Sequence, residues 1–194
     1  MKPLSNVDIS NMLQGIPHFR DVFTRDIHPK RMFKNECGII NSDTISGEGK
    51  HWICYFNDPK SKYVEFFNSF GLPPGIEILN YLETSGKDIL YNSSQIQSNN
   101  SVLCGYYCVH YIKERIKGRS MYDILYSFKQ KPSEVTKRLV KSTSNAPKGS
   151  ASLRGAGLTD LQNEKLKQLY FNPKTGFTGI NELSCKSGLS QNKN

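Results

Sequence analysis

At 194 residues the chain is sized for one domain, or one domain with an appendage, which excludes two full enzymatic domains. Hydrophobic residues make up 37% of it, with ten Phe, ten Tyr and one Trp, enough for a core, while a mean hydropathy of -0.54 predicts a folded body and a loose polar end. The net charge of +9 is concentrated: residues 105–156 hold eleven Lys/Arg against three Asp/Glu. Such a cluster suits a polyanion, nucleic acid above all, and equally suits a solvated helix face followed by a basic linker. There is no apolar run of about eighteen residues, and the start MKPLSNVDIS has neither a signal-peptide core nor a transit-peptide pattern, so a soluble intracellular protein without membrane contact is expected. Cys37, Cys54, Cys104, Cys108 and Cys185 are odd in number and lack paired CxxC spacing, which predicts free thiols and no metal site.

In chain order, Ser5 is placed to cap a helix through VDISNMLQ, which Gly15 and Pro17 end, within a polar, helix-leaning first 35 residues. Cys37 to Ile40 reads as a short buried strand. HWICYFN (51–57) and YVEFF (63–67) are aromatic and β-branched runs joined by the turn DPKSK, a hairpin. Gly71, Pro73, Pro74 and Gly75 break it, and IEILNYLET forms a short amphipathic helix. After the polar loop NSSQIQSNNS comes VLCGYYCVHYIKERI, a helix buried in its first half and emerging as KERIKGR. MYDILYSFKQ is a further helix, which SEVTKRLVK extends or follows. This divides the chain into a body at 1–141, a flexible basic Ser/Gly/Ala-rich linker at 142–157 and a tail at 158–194 with a short helix near its start.

Three residues carry candidate chemistry. Cys104 stands at the start of the buried helix, where free N–H groups and the dipole favour a thiolate. His51, at the start of the hairpin, is the candidate base, and Asn68, at the end of the returning strand, is brought back beside it to orient the imidazole through its Nδ1 proton. Each also has an ordinary reading: a core cysteine, an edge histidine, a turn asparagine.

The order HW, then N-S-F-G, then Q-S-N-N-S-V-L-C-G-Y-Y-C resembles the adenovirus-type (adenain-like) cysteine endopeptidase family over roughly residues 10–130. The resemblance implies an α+β cysteine-protease fold of the adenain and SUMO-protease type, with a small central mixed sheet packed on the helix that starts at the nucleophile. It implies His51 as base, flanked by Trp52, Asn68 as orienter, Cys104 as nucleophile, and Gln97, seven residues ahead of Cys104 and preferred over Gln95, as oxyanion donor beside the Cys104 N–H. Cys108 is expected to be buried packing. Asn68 stands where the family usually has an acid, and residues 69–103 hold no cysteine for a disulfide-linked activating peptide.

The function implied is a monomeric viral thiol endopeptidase of virion and host nucleus that matures virion precursor proteins at (Met/Ile/Leu)-x-Gly-x before Gly. Leu153-Arg154-Gly155-Ala156-Gly157 fits that rule, which predicts self-cleavage between Ala156 and Gly157. Duplex DNA is the expected activator, with Lys113, Arg115, Lys117 and Arg119 as contacts. The segment LYFNPKTGFTGINEL is similar to short segments of Polinton- or adintovirus-like elements. Two alternatives share the pattern: a protease for SUMO- or ubiquitin-like modifiers, and a DNA-binding protein built on an inactive protease scaffold.

Overall fold

Strands Trp52–Asn57 and Tyr63–Phe67 form the predicted antiparallel hairpin, and the rest of the molecule is arranged around it. The computed structural model describes residues 2–130 and the pair 184–185. In chain order the elements are α1 (Asn6–Leu13), β1 (Phe19–Thr24), β2 (Glu36–Asn41), β3 (Trp52–Asn57), β4 (Tyr63–Phe67), α2 (Ile76–Glu83), β5 (Asp88–Tyr91), α3 (Cys104–Ile116), α4 (Met121–Gln130) and β6 (Ser184–Cys185). The strands lie in sequence order in one mixed sheet, with β1·β2 and β4·β5 parallel and the other neighbours antiparallel. The expected boundary near 141, the linker 142–157 and the tail helix after 158 fall outside the described residues.

The two-residue period of the strands sorts their side chains into two cores. Cys37, Ile39, Trp52, Cys54, Phe56 and Phe67 face α1, α3 and α4. Ile40, Ile53, Tyr55, Val64, Phe66, Ile89 and Tyr91 face α2. Every residue of β2 and β3 is buried, as expected of central strands covered on both sides. Helices therefore cover both sides of the sheet, where the sequence predicted packing on α3 alone.

Ser5 caps α1 as predicted: its Oγ accepts the Asp8 N–H at 3.1 Å and the Asp8 carboxylate accepts the Ser5 N–H at 3.0 Å. The N-terminal third also holds β1, which the sequence reading missed. FRDVFT carries Arg20 and Asp21, and the strand lies at the sheet edge, so its periodicity is weak. Glu36, a charge in a buried strand, is satisfied by Arg20 Nη1 at 2.6 Å and Tyr81 Oη at 2.6 Å. The four-residue β5 was missed as well. It pairs parallel with β4 across the α2 crossover, so no hairpin turn announces it.

Candidate active site

The hairpin sets the first pair of the site. His51 immediately precedes β3 and Asn68 immediately follows β4, and the His51 ring lies 2.9 Å from Asn68 Oδ1. The nitrogen in that contact is Nε2, whereas the sequence reading expected the Nδ1 proton to be accepted. The two ends of the Asn68 amide are fixed independently. Its Nδ2 donates to the Leu72 carbonyl at 3.1 Å, and its Oδ1 accepts the Phe70 N–H at 2.9 Å. Oδ1 is therefore the acceptor toward the imidazole, and Nε2–H is the donor. Neutral His51 then carries its lone pair on Nδ1. That atom is buried and has no hydrogen-bond partner among the described residues.

The ring against the imidazole is Phe70, at 4.6 Å between centroids, and not Trp52 as expected. Trp52 has a different task, since its Nε1–H donates to the Leu4 carbonyl at 2.9 Å and its backbone carbonyl accepts the Cys108 thiol at 3.3 Å. It thereby joins β3 to α3 and to the segment ahead of α1. Cys108 is buried packing, as predicted, one helical turn below Cys104.

Cys104 is the first residue of α3. Its thiol lies beside the backbone N–H groups of Trp52, Gly105 and Cys104 itself, so the residue following His51 contacts the nucleophile candidate. Gly105 permits this approach, because a Cβ there would lie 3.1 Å from Trp52 Cδ1 and 3.2 Å from Leu4 Cβ. The electrostatic outcome differs from the expected thiolate. Burial pushes the Cys104 thiol up to about 12, and the three N–H groups only partly oppose it. Burial likewise pulls the His51 imidazole down to about 4, against the opposing hydrogen bond to Asn68. Desolvation outweighs the helix terminus, and the resting pair is a neutral thiol and a neutral imidazole.

Gln97 lies in the loop between β5 and α3 and is 1% exposed, whereas its competitor Gln95 is exposed. Gln97 Nε2 donates to the Ser101 carbonyl at 2.6 Å, and its Oε1 accepts the Ser69 hydroxyl at 2.8 Å. The Ser69 carbonyl accepts the N–H groups of Ile96 (2.8 Å) and Gln97 (3.0 Å). Sequence reasoning missed a second holder, Asn92. Its Oδ1 accepts the Asn68 N–H at 2.9 Å and its Nδ2 donates to the Asn68 carbonyl at 2.7 Å. Asn92 thus gives the Asn68 backbone a strand-like partner just past the end of β4. It sits one residue after a four-residue strand that was not foreseen, so no signal in the chain marked it.

The basic candidates at the end of α3 are largely committed elsewhere. Arg115 is held by Glu65 through Nε at 2.7 Å and Nη2 at 3.0 Å, with the Tyr111 hydroxyl on the same carboxylate at 2.6 Å, so Arg115 is corrected from DNA contact to core ion pair. Lys117 (2.7 Å) and Arg119 (2.9 Å) share Glu114, and Lys113 is half-buried. The larger part of the positive excess, six Lys/Arg against one Asp/Glu at 131–156, lies outside the described residues, as do Ala156 and Gly157. Among the described residues no His/Cys/Asp/Glu group could hold a metal, and no helix is long and apolar enough to cross a membrane. Cys37, Cys54, Cys104 and Cys108 are free thiols.

A buried helix that opens on a thiol is thus packed across a mixed sheet whose central hairpin carries an imidazole at its end. The chain superposes on the crystal structure of the African swine fever virus protease with a TM-score of 0.51 at 19% identity, covering 76% of this chain and 68% of that one, a likeness of fold. In sequence it is 26% identical over 89 residues to the SUMO-1 cysteine protease of that virus (tick isolate Pretoriuskop) and equally to the cysteine protease of the Badajoz strain. Those matches cover 40% of this chain, and the chain spans about a third of the length of these curated relatives (33%). No family model matches it.

Proposed function

We propose that the chain is a viral-type thiol endopeptidase in which Cys104 is the nucleophile, His51 the base, Asn68 its orienter and Gln97 an oxyanion donor. The observation that carries this reading is the His51 Nδ1, buried and without a hydrogen-bond partner among the described residues. A buried polar atom without a partner costs about 1–3 kcal/mol, and here it belongs to a ring whose other nitrogen is fixed and whose chain neighbour touches the thiol. Because both groups rest neutral, the proton moves during attack. As Cys104 Sγ bonds to the scissile carbonyl carbon, its proton passes to Nδ1, and the carbonyl electron pair becomes an oxyanion held by the Cys104 N–H and a Gln97 Nε2–H. Nδ1 then protonates the leaving amine as the C–N bond breaks, and deprotonates the water that hydrolyses the thioester.

The substrate rule expected from the sequence, (Met/Ile/Leu)-x-Gly-x before Gly in virion precursors, makes Leu153 to Gly157 an internal substrate cut between Ala156 and Gly157. The net positive charge of the sequence at 131–156 supports duplex DNA as an activator in a virion or nuclear setting. A second reading, a protease for SUMO-like modifiers, is favoured by the name SUMO-1 cysteine protease borne by the relatives. Purified full chain and its Cys104→Ala variant, each given a quenched peptide spanning residues 150–160 and a SUMO precursor with its C-terminal extension, separate the two. Cys104-dependent cleavage of the peptide supports the endopeptidase. Cleavage of the SUMO extension alone supports the second reading, and cleavage of neither removes both substrate assignments.

A further inference from the structure

We infer that Ser69 is a positioning residue that anchors Gln97, so that the turn after β4 carries the orienter of the base at Asn68 and fixes the oxyanion donor through the very next residue. The inference rests on the reading of Gln97 as an oxyanion donor. Asn68 and Gln97 are 29 positions apart in the chain and belong to different loops. What joins them is Ser69, fully buried, with three hydrogen bonds to the Gln97 segment: its hydroxyl to Gln97 Oε1 at 2.8 Å, and its carbonyl to the N–H groups of Ile96 and Gln97.

The division of labour follows from the chemistry of a primary amide, whose two ends have similar shape and opposite hydrogen-bonding sense. The Ser101 carbonyl, an acceptor only, selects the NH2 end of Gln97 at 2.6 Å. The Ser69 hydroxyl donates to the opposite end and stops the amide from swinging about its stem. A hydrogen bond accepted at Oε1 also polarises the amide and strengthens its N–H groups as donors. Without that hydroxyl, Oε1 is a buried acceptor that has lost its donor, and the amide turns toward whatever donor it can reach. Gly71 completes the link. At φ +69° it brings the same turn within 2.6 Å, measured from a Cβ built on it, of the Ser94 backbone in the Gln97 loop.

The test compares Ser69→Ala, Gln97→Ala and the double variant on the quenched 150–160 peptide. Because Ser69 acts through Gln97, Ser69→Ala is expected to lower kcat at least about tenfold with KM little changed, and the double variant to be no slower than Gln97→Ala alone. Ser69→Cys, a weaker donor, falls between wild type and Ser69→Ala. Alkylation of Cys104 by iodoacetamide, which passes through no oxyanion, keeps its rate in Ser69→Ala. A measurement independent of turnover is the NMR signal of the Gln97 side-chain NH2 in the Cys104→Ala chain. It is protected from solvent exchange with Ser69 present, and exchange accelerates in Ser69→Ala. A double variant slowed by the product of the two single effects, or NH2 signals that do not respond to Ser69→Ala, overturns the role of Ser69. If wild type cleaves no peptide, the assignment of residues 150–160 as substrate fails, and the NH2 signals still decide whether Ser69 holds Gln97.

Discussion

At the scale of single residues, Asn68 does what a carboxylate in its place would not. Its two amide ends face a donor and an acceptor, the His51 Nε2–H and the Leu72 carbonyl. An aspartate at this position would turn an oxygen toward the Leu72 carbonyl, oxygen against oxygen at about the 3.1 Å now spanned by the hydrogen bond. Asn68→Asp is therefore expected to lower kcat/KM by about tenfold, the value of one such bond, although relatives in the resembled family usually carry an acid there. Steady-state kinetics on the 150–160 peptide check this, and a rise in rate would show that the charge matters more than the Leu72 contact. The titration of His51 gives a second expectation at this scale. Burial holds its folded value at about 4 against an ordinary 6.5, so the unfolded chain binds the proton more readily. The stabilising contribution is complete above about pH 6.5 and is lost as pH falls toward 4, worth about 3 kcal/mol in all. In denaturant melts between pH 7 and 4.5, wild type is expected to lose stability with falling pH more steeply than His51→Gln, which lacks the titrating group. Kinetically, the acid limb of kcat/KM belongs near 4.

Secondary-structure elements carry the site by how closely they approach one another, and two glycines show how little room is left. Gly71→Ala would force a side chain into a positive-φ position and against the Ser94 and Gln95 backbone, displacing the loop that holds Gln97. Gly105→Ala would press on Trp52 and Leu4 and shift the start of α3 with Cys104. Both are expected to cost about 1–3 kcal/mol and to reduce activity by more than the loss of folded protein explains, as calorimetry beside active-site titration would reveal. The hairpin and α3 were legible in the chain because strong local patterns define them: two aromatic runs around DPKSK, and a long apolar stretch ending in KERIKGR. His51, Asn68 and Cys104 could be singled out because they stand at the ends of those elements. β1 and β5 were hidden, one by charges at a sheet edge and the other by its length. With β5 went Asn92, whose value depends on a parallel pairing that no short-range signal encodes. The ionisation of the Cys104 and His51 pair was misread for a related reason. Helix position can be read from sequence, whereas full burial of both groups is a property of the packed core.

For the molecule as a whole, charge follows partners more than composition suggests. The Glu65, Tyr111 and Arg115 network joins β4 to α3 inside the core, with the Arg115 and Glu65 side chains 10% and 7% exposed. Arg115→Ala leaves the Glu65 carboxylate buried without its cation and is expected to lower stability by about 3–5 kcal/mol, with no change in the salt dependence of duplex DNA binding. Chemical denaturation and fluorescence anisotropy read the two quantities separately. A DNA defect in a variant that remains stable would return Arg115 to the surface role the sequence suggested. The central claim, a Cys104-dependent endopeptidase, is tested most directly by digesting a proteome-derived peptide library with the full chain and with Cys104→Ala, and reading new termini by mass spectrometry. The account predicts termini that appear only with wild type, with Gly two residues before the cut. Identical termini from the two chains, or none from either, would contradict it.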